Sequence, residues 1–385
     1  MKILHLFSNI KLTGPAEPAV NLCASLRSLG YDVQFACGRP HVSGGSSVEK
    51  AALERGLEPI TAFRLSKHMS IRHNLRDMRK LPSFLQDARI DMVHAHLDND
   101  HLIGGRAARK ANRNLLVVRS SYSGEGMKSS LRGRYLLHEC TDGLVVASET
   151  AKANVLAGFR FPEERIWVVP GAVDTDRFDR ANVSADFRSR LGLSEQDFVL
   201  GVVARIQPHR RFDVILKAMK SVSLSDPQVK LLIVGRGTRM KQVAVDPVRE
   251  MGLENQVKFA GYHVGQDYVN TIACFDSLIF LMPGTDGTCR AVRESLSMGI
   301  PAIVARRGML PEIVDHAVNG LVIEDSPDSL AAAVRYLARD RNTVASMSEQ
   351  ARKKAREKLG LDLQARKIAD IYEKMRNLGR RMGRE

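Results

Sequence analysis

Residues 277–301 read SLIFLMPGTDGTCRAVRESLSMGIP, which is the pattern of one strand, one loop and one helix. The apolar run Ser277–Leu281 has the length of a buried strand, and a glycine-containing loop follows it. A helical pattern starts near Thr288, and Gly299 and Pro301 stop it before the next apolar run. A strand that leads through a loop into a helix, and then into another strand, is the repeating unit of a parallel α/β sheet.

The same alternation extends over nearly the whole chain. The predicted strands are 2–7, 32–36, 91–95, 114–118, 143–147, 165–169, 198–204, 230–234, 257–259, 277–281, 301–304 and 320–323. Helical patterns lie between most of these strands, which implies parallel pairing with right-handed crossovers. We therefore predict an α/β protein with two doubly wound domains, 1–178 and 179–360. The last stretch, 346–381, reads as one continuous basic helix.

Length and composition agree with two folded domains. The chain has 385 residues, of which 44% are hydrophobic and 26% are charged, and this excludes wholesale disorder. Its five cysteines are scattered without a C-x-x-C pattern, so neither a disulfide framework nor a zinc knuckle is indicated. No apolar run approaches the roughly 18 residues of a membrane-spanning helix, and the N-terminus is too polar for a signal peptide. We expect a cytoplasmic protein, either free or peripheral on the inner face of the cytoplasmic membrane.

The net charge of +15 indicates a polyanionic partner. Aromatic residues make up only 5% of the chain and no nucleic-acid-binding motif is present, so we expect no nucleic acid partner. Residues 64–134 have a net charge of +9 and residues 351–385 one of +7, which leaves the rest of the chain close to neutral. The excess therefore lies in two patches. They are either solvated helices or a surface that docks on anionic lipid headgroups.

Two segments contain the residue types that bind a phosphorylated sugar. Asp286 lies in the loop of the opening stretch, and Glu294 lies roughly 9 Å further along the helix. Carboxylates at this spacing suit hydroxyls at two ends of one ligand; the alternative is a capping Asp and a solvated Glu. Arg205 ends a predicted strand and Arg210 follows five residues later. Two guanidinium groups suit a diphosphate, and the alternative is a solvated basic turn.

The D-x7-E motif, followed by Ser-Leu-Ser-Met-Gly-Ile-Pro-Ala-Ile, resembles the E-x7-E signature of family-four glycosyltransferases, which are retaining enzymes with the GT-B fold. The resemblance extends over nearly the whole chain. The other similar stretches, in the family's order and with its gaps, are 169–178, 231–237, 257–261, Gly308 and 311–314. It implies two Rossmann-like domains that face across a cleft, with the C-terminal helix 361–385 crossing back to the first domain.

The resemblance also implies an activity. Members of this family move a sugar from a nucleotide-diphosphate sugar to an acceptor hydroxyl, with retention and without a metal or other cofactor. For this chain we expect a glycan or glycolipid acceptor, in lipopolysaccharide or other envelope glycan synthesis at the membrane. The basic segments 64–134 and 351–385 would join into one face for anionic lipid. The alternatives are a GT-B epimerase or phosphorylase, or a non-catalytic subunit that binds sugar nucleotides.

The family's site residues transfer to matching positions. Arg205, Arg210 and Asp286 are the expected catalytic residues, with Arg211 as the alternative to Arg210. The expected donor site adds the following residues: Gly14, Gly287, Thr288, Cys289 and Glu294. Asp286 stands where the family has Glu, and Cys289 where it has Gly. Gly14 follows the first strand, where the family has a glycine-rich loop, although an ordinary turn is equally compatible with one glycine.

The segment 94–101 reads His-Ala-His-Leu-Asp-Asn-Asp-His, which mimics a metal cluster and contains a D-x-D pattern. Because the family uses cations in place of a metal, we place His96 and Asp98 in the acceptor cleft. Family members often have a His after the 114–118 strand, and this chain has none there. Either that His is dispensable, or Ser121 or another group takes its place.

Overall fold

Twelve β-strands form two parallel six-stranded sheets in the part of the chain that the computed structural model describes, residues 1–12, 14–39, 47–127, 129–283 and 289–381. The chain divides into two units. Unit 1 comprises residues 1–172 together with the C-terminal segment from Leu361, and unit 2 comprises the described residues between 173 and 360. The domain boundaries predicted from the sequence lie between residues 178 and 179 and between residues 360 and 361. The prediction of an α/β fold with two doubly wound sheets is confirmed.

The sheet of unit 1 has the strand order β2-β1-β3-β4-β5-β6. Its strands are β1 Lys2–Phe7, β2 Asp32–Cys37, β3 Met92–Ala95, β4 Leu116–Ser121, β5 Gly143–Val146 and β6 Ile166–Val168. Its helices are α1 Ala16–Ser28, α2 Val48–Leu53, α3 Ile71–Asp87, α4 Asp98–Ala111, α5 Leu131–Cys140 and α6 Glu149–Phe159. Strand β4 runs three residues beyond its prediction, because Ser120 and Ser121 pair with Val145 and Val146 of β5 despite their polar side chains.

Unit 2 has the strand order β12-β11-β10-β7-β8-β9. Its strands are β7 Phe198–Val203, β8 Val229–Val234, β9 Val257–Gly261, β10 Ser277–Phe280, β11 Ala302–Ala305 and β12 Gly320–Ile323. Its helices are α7 Phe187–Arg190, α8 Phe212–Ser223, α9 Asp246–Glu250, α10 Gly265–Ala273, α11 Arg290–Ser297, α12 Leu310–Ile313, α13 Pro327–Arg339 and α14 Arg341–Lys358. A π-helical turn, Lys241–Val245, precedes α9.

The continuous C-terminal helix predicted over 346–381 is wrong. Helix α14 ends at Lys358, and a separate helix, α15 Leu361–Arg381, begins after Gly360. The backbone N–H of Val173 donates to the carbonyl of Leu359 at 2.8 Å, so the break is fixed by a hydrogen bond that helical periodicity does not reveal. Helix α15 then packs against α1 in unit 1. The predicted return of the C-terminal helix to the first domain is confirmed.

Helices cover both faces of the unit 1 sheet. Side chains of a strand alternate between the two faces, so Ile3 and Phe7 contact α1 and α15, whereas Leu4 and Leu6 contact α3 and α4. All four side chains are fully buried. The two faces therefore belong to different sets of helices, and α3 and α15 lie on opposite sides of the sheet.

Candidate functional site

Two glycines bring the loops after β7 and β8 together at the carboxyl edge of the unit 2 sheet. A Cβ atom on Gly235 would lie 2.0 Å from the carbonyl oxygen of Ala204, and one on Gly237 would lie 2.0 Å from that of Ile206. Gly235 also has a φ of +146°, which only glycine adopts readily. The Gly-x-Gly pattern is thus required by the close approach of two backbones, and it fixes the loop that contains Arg205.

The three arginines after β7 have different surroundings. Arg205 is exposed and has no hydrogen bond or ion pair with any residue that the structure describes. Arg210 Nη1 donates to the carbonyl of Met282 at 2.9 Å, which ties it to the loop after β10. Arg211 has a φ of +62° and pairs with Asp325 at 3.1 Å and with Asp213 at 3.6 Å. Arg205 is therefore an exposed cation, Arg210 is tied to the loop after β10, and Arg211 is paired with two carboxylates.

Helix α11 holds Glu294 in a closed environment. The carboxylate is 4% exposed, accepts a hydrogen bond from Tyr268 Oη at 2.6 Å and pairs with Arg290 Nε at 3.1 Å. Cys289 caps the helix in the left-handed region, with a φ of +51°, at the position where the family has glycine. The helix begins at Arg290, two residues after the predicted start. Asp286, Gly287 and Thr288 lie outside the described residues.

A row of polar side chains crosses the α15 face of the unit 1 sheet. His5 on β1 pairs with His94 on β3, His96 follows β3, Ser120 is on β4 and Tyr122 follows β4. The side chain of Tyr372 reaches this row from α15. These six residues form one chain of hydrogen bonds, which we call the histidine relay.

Every ring nitrogen of the three histidines has a partner in the relay. Ser120 Oγ lies 2.7 Å from His94 Nε2, and His94 Nδ1 lies 2.5 Å from Tyr372 Oη. Tyr372 Oη is 3.4 Å from His5 Nε2, and His5 Nδ1 is 2.9 Å from His96 Nε2. His96 Nδ1 is 2.7 Å from the hydroxyl of Tyr122, which ends the relay.

Burial keeps these imidazoles neutral. Desolvation lowers the pKa of His5 to about 3, and it lowers the pKa of His94 and His96 well below the usual range. Arg119 adds to this effect for His94 and His96, since a nearby cation disfavours a second positive charge. Neutral histidine is also the form that binds metals, and one nitrogen of each ring lies within 4.8 Å of the others.

The geometry of the rings shows what this cluster can do. The planes of His94 and His96 are inclined by only 13°, and that of His5 is inclined by 24° to His96, so the rings are stacked. Their nitrogens are directed at hydroxyls and at one another. In this arrangement, the group that donates in one hydrogen bond influences which group donates in the next, along the relay between Ser120 and Tyr122.

The remaining predicted residues of unit 1 lie at the carboxyl edge of its sheet but have separate partners. Asp98 is exposed and pairs with buried Arg119 at 2.8 Å. Asp100 is fully buried and accepts hydrogen bonds from the backbone N–H groups of Ser8, His96 and Leu97. The two carboxylates of the D-x-D pattern thus serve different structural roles. Ser121 is buried at the end of β4, and Gly14 is partly exposed just before α1.

Sequence reasoning missed five residues of this region: His5, Arg119, Ser120, Tyr122 and Tyr372. A signal existed for four of them. His5 and Arg119 interrupt apolar strands, and His94, His96, Ser120 and Tyr122 repeat with the period of two that places side chains on one face. Tyr372 had no such signal, because it reaches the relay from a helix 250 residues later in the chain.

Comparison with known families assigns both units. A model described as Glycosyl transferases group 1 matches residues 183–354, and one described as Glycosyltransferase Family 4 matches residues 14–177. The chain is a family-four glycosyltransferase. The predicted family is therefore confirmed.

Two curated relatives and one solved structure illustrate the similarity. An uncharacterized glycosyltransferase of Methanocaldococcus jannaschii is 25% identical over 77% of this chain and 78% of its own length. The UDP-Gal:alpha-D-GlcNAc-diphosphoundecaprenol alpha-1,3-galactosyltransferase of Escherichia coli is 24% identical over 80% of this chain and 81% of its own. The crystal structure of Anabaena Alr3699/HepE in complex with UDP superposes with a TM-score of 0.82 at 18% identity, covering 97% and 100% of the two chains. This likeness confirms the GT-B fold.

Among the helices that the structure describes, none has both the length and the apolar character needed to cross a bilayer.

Proposed function

We propose that this glycosyltransferase transfers a sugar, with retention, from a nucleotide-diphosphate sugar to a hydroxyl of a glycan or glycolipid acceptor. Unit 2 binds the donor and unit 1 binds the acceptor. The single observation that supports the proposal most is Arg205, an exposed guanidinium without an internal partner, held at the carboxyl edge of the sheet by Gly235 and Gly237. Ligands of open α/β sheets bind at that edge.

The proposed mechanism depends on fixed positive charge. Arg205 and Arg210 bind the diphosphate and stabilise the charge that develops on the leaving group. Arg210 is the better second ligand than Arg211, because Asp213 and Asp325 already neutralise Arg211. The acceptor attacks from the face that the diphosphate leaves, and a diphosphate oxygen takes the proton, so no strong protein base is needed.

We further propose that transfer needs no metal ion. The two arginines supply the charge that a divalent cation provides in other transferases. In support, Asp98 pairs with Arg119 and Asp100 caps backbone N–H groups, so the D-x-D carboxylates do not converge on one point.

The acceptor side of the proposal is a lipid-linked substrate at an anionic membrane. Four exposed apolar side chains lie near the starts of α3 and α5: Met69, Ile71, Leu75 and Leu131. The same two helices also have exposed cations: Arg72, Arg76, Arg79, Lys80, Arg132 and Arg134. Arg132 contacts Met69, which joins the two helix starts into one surface, here called the α3–α5 patch. Exposed apolar residues on helices with exposed cations suit insertion between anionic headgroups.

Helix α15 covers the opposite side of the unit 1 sheet from α3, so these two parts of the basic segments do not share one face. Residues 351–358 belong to α14 in unit 2. The membrane proposal therefore rests on the α3–α5 patch alone. The related galactosyltransferase of Escherichia coli, whose named acceptor is a diphosphoundecaprenol, agrees with an acceptor of this class.

The test of the proposed function is a panel of UDP-, GDP- and ADP-sugars scored by thermal shift. The stabilising donor is then incubated with GlcNAc-diphosphoundecaprenol in detergent, and NMR reads the anomeric configuration of the product. We expect one donor class to bind and the product to keep the donor's configuration, with chelator present. An inverted product, or donor binding that Arg205→Ala leaves unchanged, would refute the proposal.

A further inference from the structure

A cavity lies at the amino edge of the unit 2 sheet. It has a volume of about 650 Å³, and α14 and the segments that precede β10 and β11 contribute to its lining. Asp276 stands one residue before β10 and Gly299 three residues before β11, so the cavity lies where these strands begin. Arg205 follows β7 at the carboxyl edge, and the cavity is therefore at the opposite edge of the sheet from the proposed donor site. Its volume is in the range that accommodates a small ligand.

The lining of this cavity is rich in charge of both signs. Five of its side chains are cations: Arg180, Arg341, Arg352, Lys353 and Arg356. Three are carboxylates: Asp276, Glu349 and Glu357. The lining therefore has a net positive charge, although it has no ligand-binding residue that the family resemblance predicts.

Two of the five cations already have a carboxylate partner. Arg341 pairs with Asp276 Oδ1 at 3.1 Å, and Arg356 pairs with Asp179 at 3.0 Å. The other oxygen of Asp276 lies 3.3 Å from Arg188 and accepts a backbone N–H, so both of its oxygens are engaged. Neither aspartate is thus available to neutralise the remaining cations of the cavity.

Arg180 and Arg352 have no carboxylate partner among the described residues. Arg180 Nη2 donates to the carbonyl of Phe275 at 3.4 Å, and Arg352 has no hydrogen bond or ion pair with any described residue. Desolvation lowers the pKa of Arg180, and the cations Arg352 and Arg188 add to this effect while Asp276 opposes it. Two like charges that influence each other in this way are both stabilised by an anion placed near them.

The wall of the cavity is shaped to hold the Arg352 guanidinium. A Cβ atom on Gly299 would lie 2.9 Å from Arg352 Nη2 and 2.9 Å from Ser348 Oγ. The hydroxyl of Ser348 also donates to the carbonyl of Gly299, which fixes α14 against the end of α11. Gly299 has a φ of +66°, so glycine serves both the backbone turn and the space that the guanidinium occupies.

We propose that this cavity binds a soluble anion with two phosphoryl groups, whose oxygens pair with Arg180 and Arg352. A guanidinium group forms paired hydrogen bonds with phosphoryl oxygens, and two such groups suit two phosphates. Among the described residues, none of the large exposed apolar side chains lines the cavity. The cavity therefore lacks the groups that insert into lipid, and a free phosphorylated compound fits it better than a lipid headgroup does. This site goes beyond the proposed function and does not depend on it.

The first test is calorimetric titration with inorganic pyrophosphate. It uses Arg205→Ala protein, so that the proposed donor site does not contribute to the binding. We expect Arg180→Gln and Arg352→Gln each to weaken binding about tenfold, and the two together about 100-fold, because each removes hydrogen bonds to a charged group. Undetectable binding of pyrophosphate by Arg205→Ala protein would overturn the proposal.

The matched control removes the same charge elsewhere in unit 2. Lys217→Gln on α8 and Arg249→Gln on α9, combined in one variant, alter exposed side chains that do not line the cavity. Screening by salt makes distant exposed charges weak, so the affinity for pyrophosphate should be nearly unchanged. A loss equal to that of the arginine pair would show only general attraction to a basic protein.

A variant that gains affinity guards against damage to the fold. Glu349 is exposed, lines the cavity and has no ion pair with a described residue. Glu349→Gln removes a negative charge that repels the anion, and it should tighten pyrophosphate binding about threefold. A misfolded protein does not bind its ligand more tightly, and weaker binding by Glu349→Gln would contradict the site.

The last comparison distinguishes a soluble phosphate from a lipid headgroup. Sedimentation with phosphatidylglycerol vesicles should be the same for the wild type and for Arg180→Gln combined with Arg352→Gln. If the double variant loses vesicle binding but keeps its affinity for pyrophosphate, the cavity binds lipid and the proposal is overturned. Transferase activity does not enter these measurements, so failure of the proposed function would leave their outcome intact.

Discussion

Arg205 differs from its neighbouring arginines because no other described side chain neutralises it. In the proposed mechanism, a charge that is uncompensated in the resting protein is available for the leaving diphosphate, where stabilisation of the transition state is largest. We expect Arg205→Ala to lower kcat by about 100- to 1000-fold with an unchanged melting temperature. Lys217→Ala, at an exposed position on α8, is the matched control. Near-normal turnover of Arg205→Ala would contradict the donor site.

Gly235 and Gly261 provide a matched pair at the same edge. Both have a positive φ, but a Cβ would meet the Ala204 carbonyl at Gly235 and nothing within 4 Å at Gly261. We expect Gly261→Ala to destabilise by about 1 kcal/mol, the cost of the left-handed region. Gly235→Ala should lower the free energy of unfolding by at least about 1 kcal/mol more than Gly261→Ala does. It should also lower kcat, because it displaces the loop that contains Arg205. Thermal unfolding and kinetics check both, and equal effects of the two variants would show that the close approach is unimportant.

At the scale of elements, α15 is held to unit 1 by a buried polar anchor as well as by apolar packing. Tyr372 is fully buried, and its hydroxyl contacts His94 and His5. Tyr372→Phe leaves two buried imidazoles without this partner, and we expect a loss of about 1–3 kcal/mol. The only tryptophan of the chain, Trp167, lies beside Met375 of α15, so its fluorescence reports undocking. Denaturation curves of Tyr372→Phe that coincide with wild type would contradict this anchor.

The relay also makes the stability of unit 1 depend on pH. The folded pKa of His5 is about 3 and those of His94 and His96 are lowered, whereas an unfolded histidine titrates near 6.5. The unfolded chain therefore binds more protons, and stability falls as the pH falls below about 6.5. We expect His94→Gln to reduce the slope of unfolding free energy against pH by about 1.4 kcal/mol per unit between pH 5.5 and 4.

Asp100 changes the stability with pH in the direction opposite to that of the histidines. Burial raises its folded pKa to about 7, so its contribution is present at low pH and is lost as the pH rises toward 7. Asp100 contributes to the pH dependence of stability in both the wild type and His94→Gln. The difference between their slopes of unfolding free energy against pH therefore reports on His94. Urea unfolding followed by Trp167 fluorescence gives the two slopes, and parallel lines would mean that His94 is charged in the folded state.

At the scale of the whole molecule, the positive charge is divided between the two faces of unit 1 and helix α14 of unit 2. The α3–α5 patch combines cations with several exposed apolar side chains. Replacing Arg72, Arg76 and Arg79 with Gln should weaken binding to anionic vesicles by roughly 100-fold, at about 1 kcal/mol for each cation. The same change at Arg366, Lys367 and Lys374 of α15 should have little effect. Vesicle sedimentation compares them, and equal losses would contradict the assignment to one patch.

Local sequence determined most of the architecture. Buried strands and the glycines between strands and helices are set by short-range periodicity and backbone freedom, so all twelve strands were predicted within about three residues. The arginines after β7 were chosen as candidates for the same reason, since ligands of open α/β sheets bind beyond the carboxyl ends of strands. The break at Gly360 was missed because a backbone hydrogen bond from Val173 fixes it, and helical periodicity continues through the break.

Only the tertiary structure decided what the polar side chains do. The cluster at 94–101 suggested a metal or acceptor site, yet His94 and His96 belong to a relay that is completed by His5 and Tyr372. Arg211 and Arg210 matched the motif equally well in the sequence. Only the structure shows that Arg211 pairs with Asp325. A sequence lists which groups can donate, accept or carry charge. Which of them neutralise one another depends on distances between residues far apart in the chain, and the groups left over are the ones that can bind a substrate.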